Sequence, residues 1–142
     1  MNNPILTSTI LLSFFFGTFF MSNPQQKGAV KPDQMNKRDT LLCVEWKLLS
    51  TETFGVVKNA GEKQKDDMAS FGFDHKAKIV NDGETKTGTW SADKGKNYLT
   101  FAVDGSPQKI VFRVMRLFAD SLKLEYKDSS LVKTYYVYLK AK

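Results

Sequence analysis

The segments Phe71-Gly-Phe-Asp74, Gly88-Thr-Trp-Ser91 and Leu99-Thr-Phe101, with Val44-Glu-Trp46 upstream, decide the fold of this chain. Each places large apolar side chains two residues apart, so that they share one face of an extended strand. Glycine, asparagine and aspartate separate the segments, which indicates tight turns between antiparallel strands. This pattern is typical of a sheet that curls around its own core. The inside of such a sheet is either packed solid or left as a space for one apolar ligand.

Eight segments of the chain are predicted to be strands, and short turns join most of them. The segments are 42–48, 68–73, 76–80, 85–91, 98–103, 109–117, 122–127 and 131–140. The strongest turn signal is Asn81-Asp-Gly83, because Asp-Gly accepts the positive φ angles of a two-residue hairpin. We therefore predict an all-β fold, an eight-stranded antiparallel up-and-down barrel or strongly curled sheet. Tight turns favour a barrel over a sandwich, and closure removes the edges of the sheet.

The alternation of apolar side chains breaks down between residues 51 and 68, directly after the first predicted strand. Gly55 and Gly61 interrupt this stretch, and a charged run follows. Because the alternation is lost, we predict a loop with one or two helical turns here. Long connections of this kind in compact domains are often functional flaps. In this interpretation the segment is a lid, with Phe54 and Val56 covering the mouth of the barrel.

The N-terminal region differs from the rest of the chain, because no charged residue precedes Lys27. Residues 5–21 form an uncharged apolar stretch, which predicts that residues 1–22 are a signal peptide or an N-terminal anchor. Residues 23–40 are predicted to be a polar linker, and residues 41–142 the β-barrel domain. The protein is therefore expected to be exported: periplasmic, secreted, or associated with a membrane through residues 5–21.

Composition excludes several classes of function. The net charge is +6, but acidic and basic residues are interspersed, which argues against a nucleic-acid-binding surface. Cys43 is the only cysteine and His75 the only histidine, so neither a disulfide framework nor a His/Cys metal site is expected. Cys43 is interpreted as a half-buried strand residue, with a reactive or intermolecularly bonded thiol as the alternative. No catalytic constellation is evident, so we expect a non-enzymatic monomer without a cofactor.

The same segments resemble a known family. They are Leu42-Cys-Val-Glu-Trp-Lys-Leu-Leu-Ser50, Phe71-Gly-Phe-Asp74, Gly88-Thr-Trp-Ser91, Tyr98-Leu-Thr-Phe101, Phe112-Arg-Val-Met-Arg-Leu117, Asp120-Ser-Leu-Lys-Leu124 and Tyr136-Val-Tyr138. Over residues 41–140 the chain is similar to the small lipocalin-like domains of bacterial envelope and secreted proteins. The resemblance implies a β-barrel, generally of unassigned function, whose mouth is the expected site. Val44 stands where the family usually has glycine, which implies a straighter first strand or a bend elsewhere.

The aromatic residues that share one face of the predicted strands are the candidates for a ligand-binding wall. They are Trp46, Phe73, Trp90, Phe101, Phe112 and Tyr135. In an unbroken strand Arg113 and Arg116 lie on opposite faces, so one of them enters the lumen. A buried cation without an acidic neighbour is costly unless it meets an anionic ligand. A bulge in this strand would instead leave both arginines outside.

Two functions follow from this architecture. The first is an exported, non-enzymatic protein that binds a small apolar or amphipathic molecule inside the barrel. The second is a structural or interaction domain of the envelope, with a packed core and no ligand, for which Met115, Leu117 and Phe118 are the candidate surface contacts.

Overall fold

The computed structural model describes residues 35–93 and 95–142. The predicted export segment and most of the predicted linker, residues 1–34, lie outside the described residues. Helix α1 spans Lys37–Leu42. The strands are β1 (Glu45–Thr53), β2 (Val56–Asn59), β3 (Met68–Phe71), β4 (Lys76–Asn81), β5 (Glu84–Ala92), β6 (Tyr98–Val103), β7 (Lys109–Leu117), β8 (Ser121–Lys127) and β9 (Lys133–Lys140). A 3₁₀ turn, Glu62–Gln64, lies between β2 and β3. Within the described residues, no helix has the length and hydropathy needed to cross a membrane.

The sheet closes into a barrel. Strands β3 to β9 pair antiparallel in sequence order, and β1 pairs with β3 on one side and with β9 on the other. The β1–β9 ladder runs from Trp46↔Lys140 to Thr53↔Thr134, and the N–H of Ala141 donates to the carbonyl of Glu45 at 2.9 Å. The prediction of an eight-stranded antiparallel barrel is therefore confirmed, with β2 as an additional strand.

The segment after β1 differs from the predicted loop with helical turns. Strand β1 continues to Thr53 and forms a hairpin with β2, whose turn holds Phe54 at φ +53° and Gly55 at φ +76°. Strands β2 and β3 pair with successive parts of β1. Together they correspond to one long strand beside β1, which residues 60–67 interrupt as an insertion. Helical structure in this segment is confined to Glu62–Gln64. The hairpin forms because the β-branched residues Thr51 and Thr53 favour an extended strand. They pair with Lys58 and Val56 of β2.

Helix α1 lies at the end of the barrel where β1 begins. The Asn36 side chain accepts a hydrogen bond from the Asp39 N–H at 2.8 Å, which is an N-cap interaction. The chain then reverses through an inverse γ-turn, in which the N–H of Val44 donates to the carbonyl of Leu42 at 2.7 Å. Residues 41–44 are thus helix and turn, whereas the sequence predicted strand from residue 42. This turn, together with a bulge between Leu48 and Ser50, supplies the bend expected elsewhere when Val44 replaces glycine.

The core fills the half of the barrel next to α1. Leu42, the last residue of α1, is buried, and its carbonyl accepts a hydrogen bond from the indole N–H of Trp46 at 3.1 Å. Trp90 meets Phe71 edge-on, with 5.8 Å between ring centroids, and donates its indole N–H to the carbonyl of Gly72. Each large buried aromatic side chain contributes about 2–3 kcal/mol through burial. This packed half closes one end of the lumen and forms the floor of any open space in the other half.

Candidate functional site

The other half of the lumen is not filled. It holds a cavity of about 180 Å³, at the end of the barrel where β4 turns into β5 and β8 turns towards β9. The cavity is lined by Ile79, Asn81, Glu84, Lys86, Phe101, Gln108, Ile110, Phe112, Tyr126, Tyr136 and Tyr138. The wall next to the packed core is aromatic and the rim beside the β4–β5 turn is polar, so the cavity matches an amphipathic rather than a purely apolar molecule.

The aromatic wall comes from strands β6 to β9. In the β8–β9 ladder Tyr136 lies opposite Leu124 and Tyr138 opposite Leu122, and both leucines are buried, so both tyrosines point inward. The rings of Phe112 and Tyr136 are almost perpendicular, at 88°, with their centroids 6.5 Å apart. Such edge-to-face pairs hold their rings in fixed positions, which makes the wall pre-formed.

The hydroxyls of Tyr136 and Tyr138 in this wall remain protonated at neutral pH. Burial raises the pKa of Tyr138, and Tyr136 and Asp67 nearby raise it further. Burial is also the largest cause of the raised pKa of Tyr136, with the charges of Asp82, Tyr126 and Asp67 adding to it. Both phenols therefore offer an O–H donor to the lumen.

The polar rim is carried by the β4–β5 hairpin. Asp82 and Gly83 have φ angles of +50° and +79°, as a type I′ turn requires, and the turn predicted from Asn81-Asp-Gly83 is confirmed. The buried carboxylate of Asp67 accepts the N–H groups of Asp82 at 2.8 Å and of Gly83 at 3.2 Å. The insertion before β3 thus holds the hairpin in place through Asp67, and with it the rim side chains Asn81, Glu84 and Lys86.

The structure brings only part of the predicted wall to the cavity. Phe101 and Phe112 line it, whereas Trp46 and Trp90 belong to the packed floor. The placement of Phe73 in the wall is wrong, because β3 ends at Phe71 and Phe73 lies half-buried in the following turn. Tyr135 is also misplaced: it pairs with Glu52 and Glu125 on the outer face.

Neither predicted arginine enters the lumen. The register of β7 shifts between Val114 and Arg116, so Met115 and Arg116 together oppose Lys123 of β8. This bulge restores the outward direction, and Arg113 and Arg116 are both exposed. The alternative in which a bulge leaves both arginines outside is therefore the one observed. Of the predicted surface contacts, Met115 and Phe118 are exposed, and Leu117 is half-buried.

The predicted lid does not cover the mouth. Phe54 is 82% exposed at the tip of the β1–β2 hairpin, and Val56 is 58% exposed. Neither lines the cavity; both face an outer groove with Thr51, Thr53 and Lys58. The hairpin extends β1 beyond the β4–β5 turn, so its tip stands above the barrel rim instead of folding over it.

Sequence reasoning missed most of the cavity. Tyr126, Tyr136 and Tyr138 belong to its wall, and Lys86 brings a cation to its rim. The sequence held part of the signal for the tyrosines: Leu122, Leu124 and Tyr126 alternate cleanly, and they fix the face of their partners in the last strand once the register is known. No such signal marked Lys86, because it lies among polar residues on both sides.

Cys43 and His75 contribute no site. Cys43 ends α1, and its thiol contacts the Asp39 carbonyl at 3.3 Å. Burial, together with the charges of Asp39 and Asp74, raises the pKa of the Cys43 thiol to about 11, so it is protonated and unreactive at neutral pH. His75 lies in the β3–β4 turn, and its ring contacts Trp90 at a tilt of 39°. Among the described residues, no three His, Cys, Asp or Glu side chains group closely enough to hold a metal ion.

Comparison with known proteins places the architecture. No protein-family model matches the sequence, and a search of curated proteins finds no significant match. The structure is similar to the crystal structure of a lipocalin-like protein from Bacteroides uniformis, with a TM-score of 0.54 and 19% sequence identity over 71% of this chain and 99% of that chain. At that identity the similarity concerns the fold alone. It confirms, at the level of the fold, the resemblance noted in the sequence: the chain has a lipocalin-like barrel fold.

Proposed function

We propose that this barrel binds a small amphipathic molecule in its lumen and carries out no chemistry on it. The observation that carries the proposal is the cavity of about 180 Å³ between a packed aromatic floor and a polar rim. A lumen filled throughout, as the alternative of a packed interaction domain requires, would leave no such space. The cavity therefore favours ligand binding over that alternative.

The size of the cavity limits the ligand. An engineered apolar cavity of about 150 Å³ holds benzene, whereas most sites for drug-sized ligands measure about 300–1,000 Å³. The lumen thus suits one aromatic ring or a short alkyl group, with the polar end of the molecule at the rim. A long acyl chain would have to leave through the mouth.

Filling the cavity is expected to abolish binding. Ile110 points into the lumen, whereas its neighbour Val111 is exposed on the outer face of β7. We expect the unmodified protein to show amide shifts around Ile79, Ile110 and Tyr136 in a ¹H–¹⁵N NMR titration with indole, hexanol and 3-phenylpropan-1-ol. Ile110→Trp should lose these shifts, because the introduced tryptophan side chain fills the cavity.

Val111→Trp is the matched control, since it adds the same side chain to the same strand on the solvent side. It should retain the shifts of the unmodified protein. Shifts that survive equally in both variants, or a panel that produces none in the unmodified protein, would contradict the proposed function.

We also propose that the domain acts outside the cytoplasm. The support is the uncharged apolar stretch of residues 5–21 followed by a polar segment. Mass spectrometry of the protein from fractionated native cells tests this. We expect a chain shortened by about 22 residues in an exported fraction, or the full chain in the membrane fraction. A full-length chain in the soluble cytoplasmic fraction would refute export.

A further inference from the structure

Among the described residues that line the cavity, Lys86 is the single cation, and it lies at the polar rim. Lys86 is opposite Ile79 in the β4–β5 ladder, and both side chains face the lumen. Its only ion pair among the described residues is with Glu84, at 3.8 Å between the ammonium and a carboxylate oxygen. Side-chain exposure is 35% for Lys86 and 72% for Glu84. An ion pair that is this exposed and has this long a separation contributes little stability. An anion placed closer to Lys86 can therefore replace Glu84 at a small cost in free energy.

Three hydroxyl donors line the same space. The phenol groups of Tyr126, Tyr136 and Tyr138 make no hydrogen bond to any other described residue. No side-chain nitrogen or oxygen among the described residues is both fully buried and unpaired, so these hydroxyls reach open space. Because the raised pKa values keep Tyr136 and Tyr138 protonated, their O–H groups are available to an acceptor on a ligand.

The carboxylates around the cavity are already engaged or solvated. Asp67 accepts two N–H groups of the β4–β5 turn, and Asp82 accepts the amide of Gln64 at 2.9 Å. Glu84 is open to solvent. Besides the amides of Asn81 and Gln108, which both donate and accept, the unused polar groups of the lumen are the Lys86 ammonium and the three phenol hydroxyls, and these favour an acceptor-rich anionic ligand group over a cationic one.

We propose that the lumen binds a small monocarboxylate whose ring or short alkyl chain lies against Phe112 and Tyr136 and whose carboxylate meets the Lys86 ammonium. The tyrosine hydroxyls complete the hydrogen bonding of the carboxylate. This inference rests on the proposed function and names its ligand class. It also gives Lys86 the role that the sequence suggested for an inward-facing arginine.

Calorimetric titration with an acid and its neutral counterpart tests the proposal. The probes are 3-phenylpropionate and 3-phenylpropan-1-ol, which share ring and chain and differ in the charged group. At pH 7.5 and low salt we expect the acid to bind about tenfold or more tightly, as a charge-assisted hydrogen bond provides. Lys86→Met keeps the length of the stem and removes the charge. It should abolish the preference for the acid, so that acid and alcohol bind this variant with similar affinity.

Lys78→Met is the matched control, because Lys78 lies on the outer face of the neighbouring strand β4. It should retain the full preference for the acid. Equal affinity of the unmodified protein for acid and alcohol, or an undiminished preference in Lys86→Met, overturns the assignment to Lys86 while ligand binding stands. If neither probe binds the unmodified protein but indole or hexanol does, this proposal falls alone; if no member of the panel binds, the proposed function falls as well.

Discussion

Gly88→Ala is expected to lower the free energy of unfolding by about 3 kcal/mol or more, which corresponds to a melting temperature roughly 15 °C lower. Strands β5 and β6 approach so closely at Gly88 that a Cβ atom there would overlap the backbone carbonyl of Ala102 and press on the ring of Phe101. The carbonyl belongs to a paired strand and cannot move aside as a flexible side chain would. Thermal and urea unfolding followed by circular dichroism measure the loss.

Gly61→Ala is the control for this experiment. Gly61 has extended backbone angles that alanine accepts, and no atom lies within 4 Å of the position its Cβ would take. We expect a change within about 0.5 kcal/mol. A Gly88→Ala variant as stable as Gly61→Ala would show that β5 and β6 are further apart than described.

Asp67→Ala is expected to cost about 3 kcal/mol of stability, because it leaves two N–H groups of the β4–β5 turn without their charged acceptor. Asp67 is 1% exposed, and its carboxylate accepts two hydrogen bonds that join the insertion to the hairpin, beside the bond from Gln64 to Asp82. The stability of Asp67→Asn should fall between those of the unmodified protein and Asp67→Ala, since an amide retains one oxygen acceptor. Urea unfolding gives the stabilities, and amide hydrogen exchange at Asp82 and Gly83 reports the local opening.

The neighbouring Asp66 is exposed, which makes Asp66→Ala a control of equal charge change one position away. It should alter stability by no more than about 0.5 kcal/mol. Equal effects of the two alanine substitutions would mean that the carboxylate of Asp67 does not secure the turn.

Much of the barrel could be predicted from the sequence, because its strands alternate strongly and its turns carry their own chemistry. The segment Leu122 to Lys127 shows both, and strand β8 follows it closely. Asp82 and Gly83 form the hairpin turn expected of them. Helix α1 was missed, although Asn36 followed by Asp39 is a capping signal, because six residues in a polar segment carry little periodicity.

The candidate site could be predicted less well, because it depends on the direction of individual side chains. One extra residue in a strand reverses every direction that follows, and the bulge at Met115 did so for Arg116. In β9 the apolar residues Val137 and Leu139 suggested an inner face shared with Tyr135. Burial is instead set by the leucines of β8, which bring Tyr136 and Tyr138 inward. Tyrosines that alternate with aliphatic residues do not reveal their face until the register is known.

The ladder between β1 and β9 has a consequence for the biosynthesis of the protein. The pairings from β3 to β9 join strands that follow one another along the chain, whereas this one joins the first strand of the domain to the last. A nascent chain can build the meander in order of synthesis, but β1 keeps an open edge until Lys140 has left the ribosome. Contacts so distant in sequence form slowly. Sealing of the barrel therefore waits for β9, and any chain that stops short of β9 leaves an unpaired edge of β1 open to aggregation.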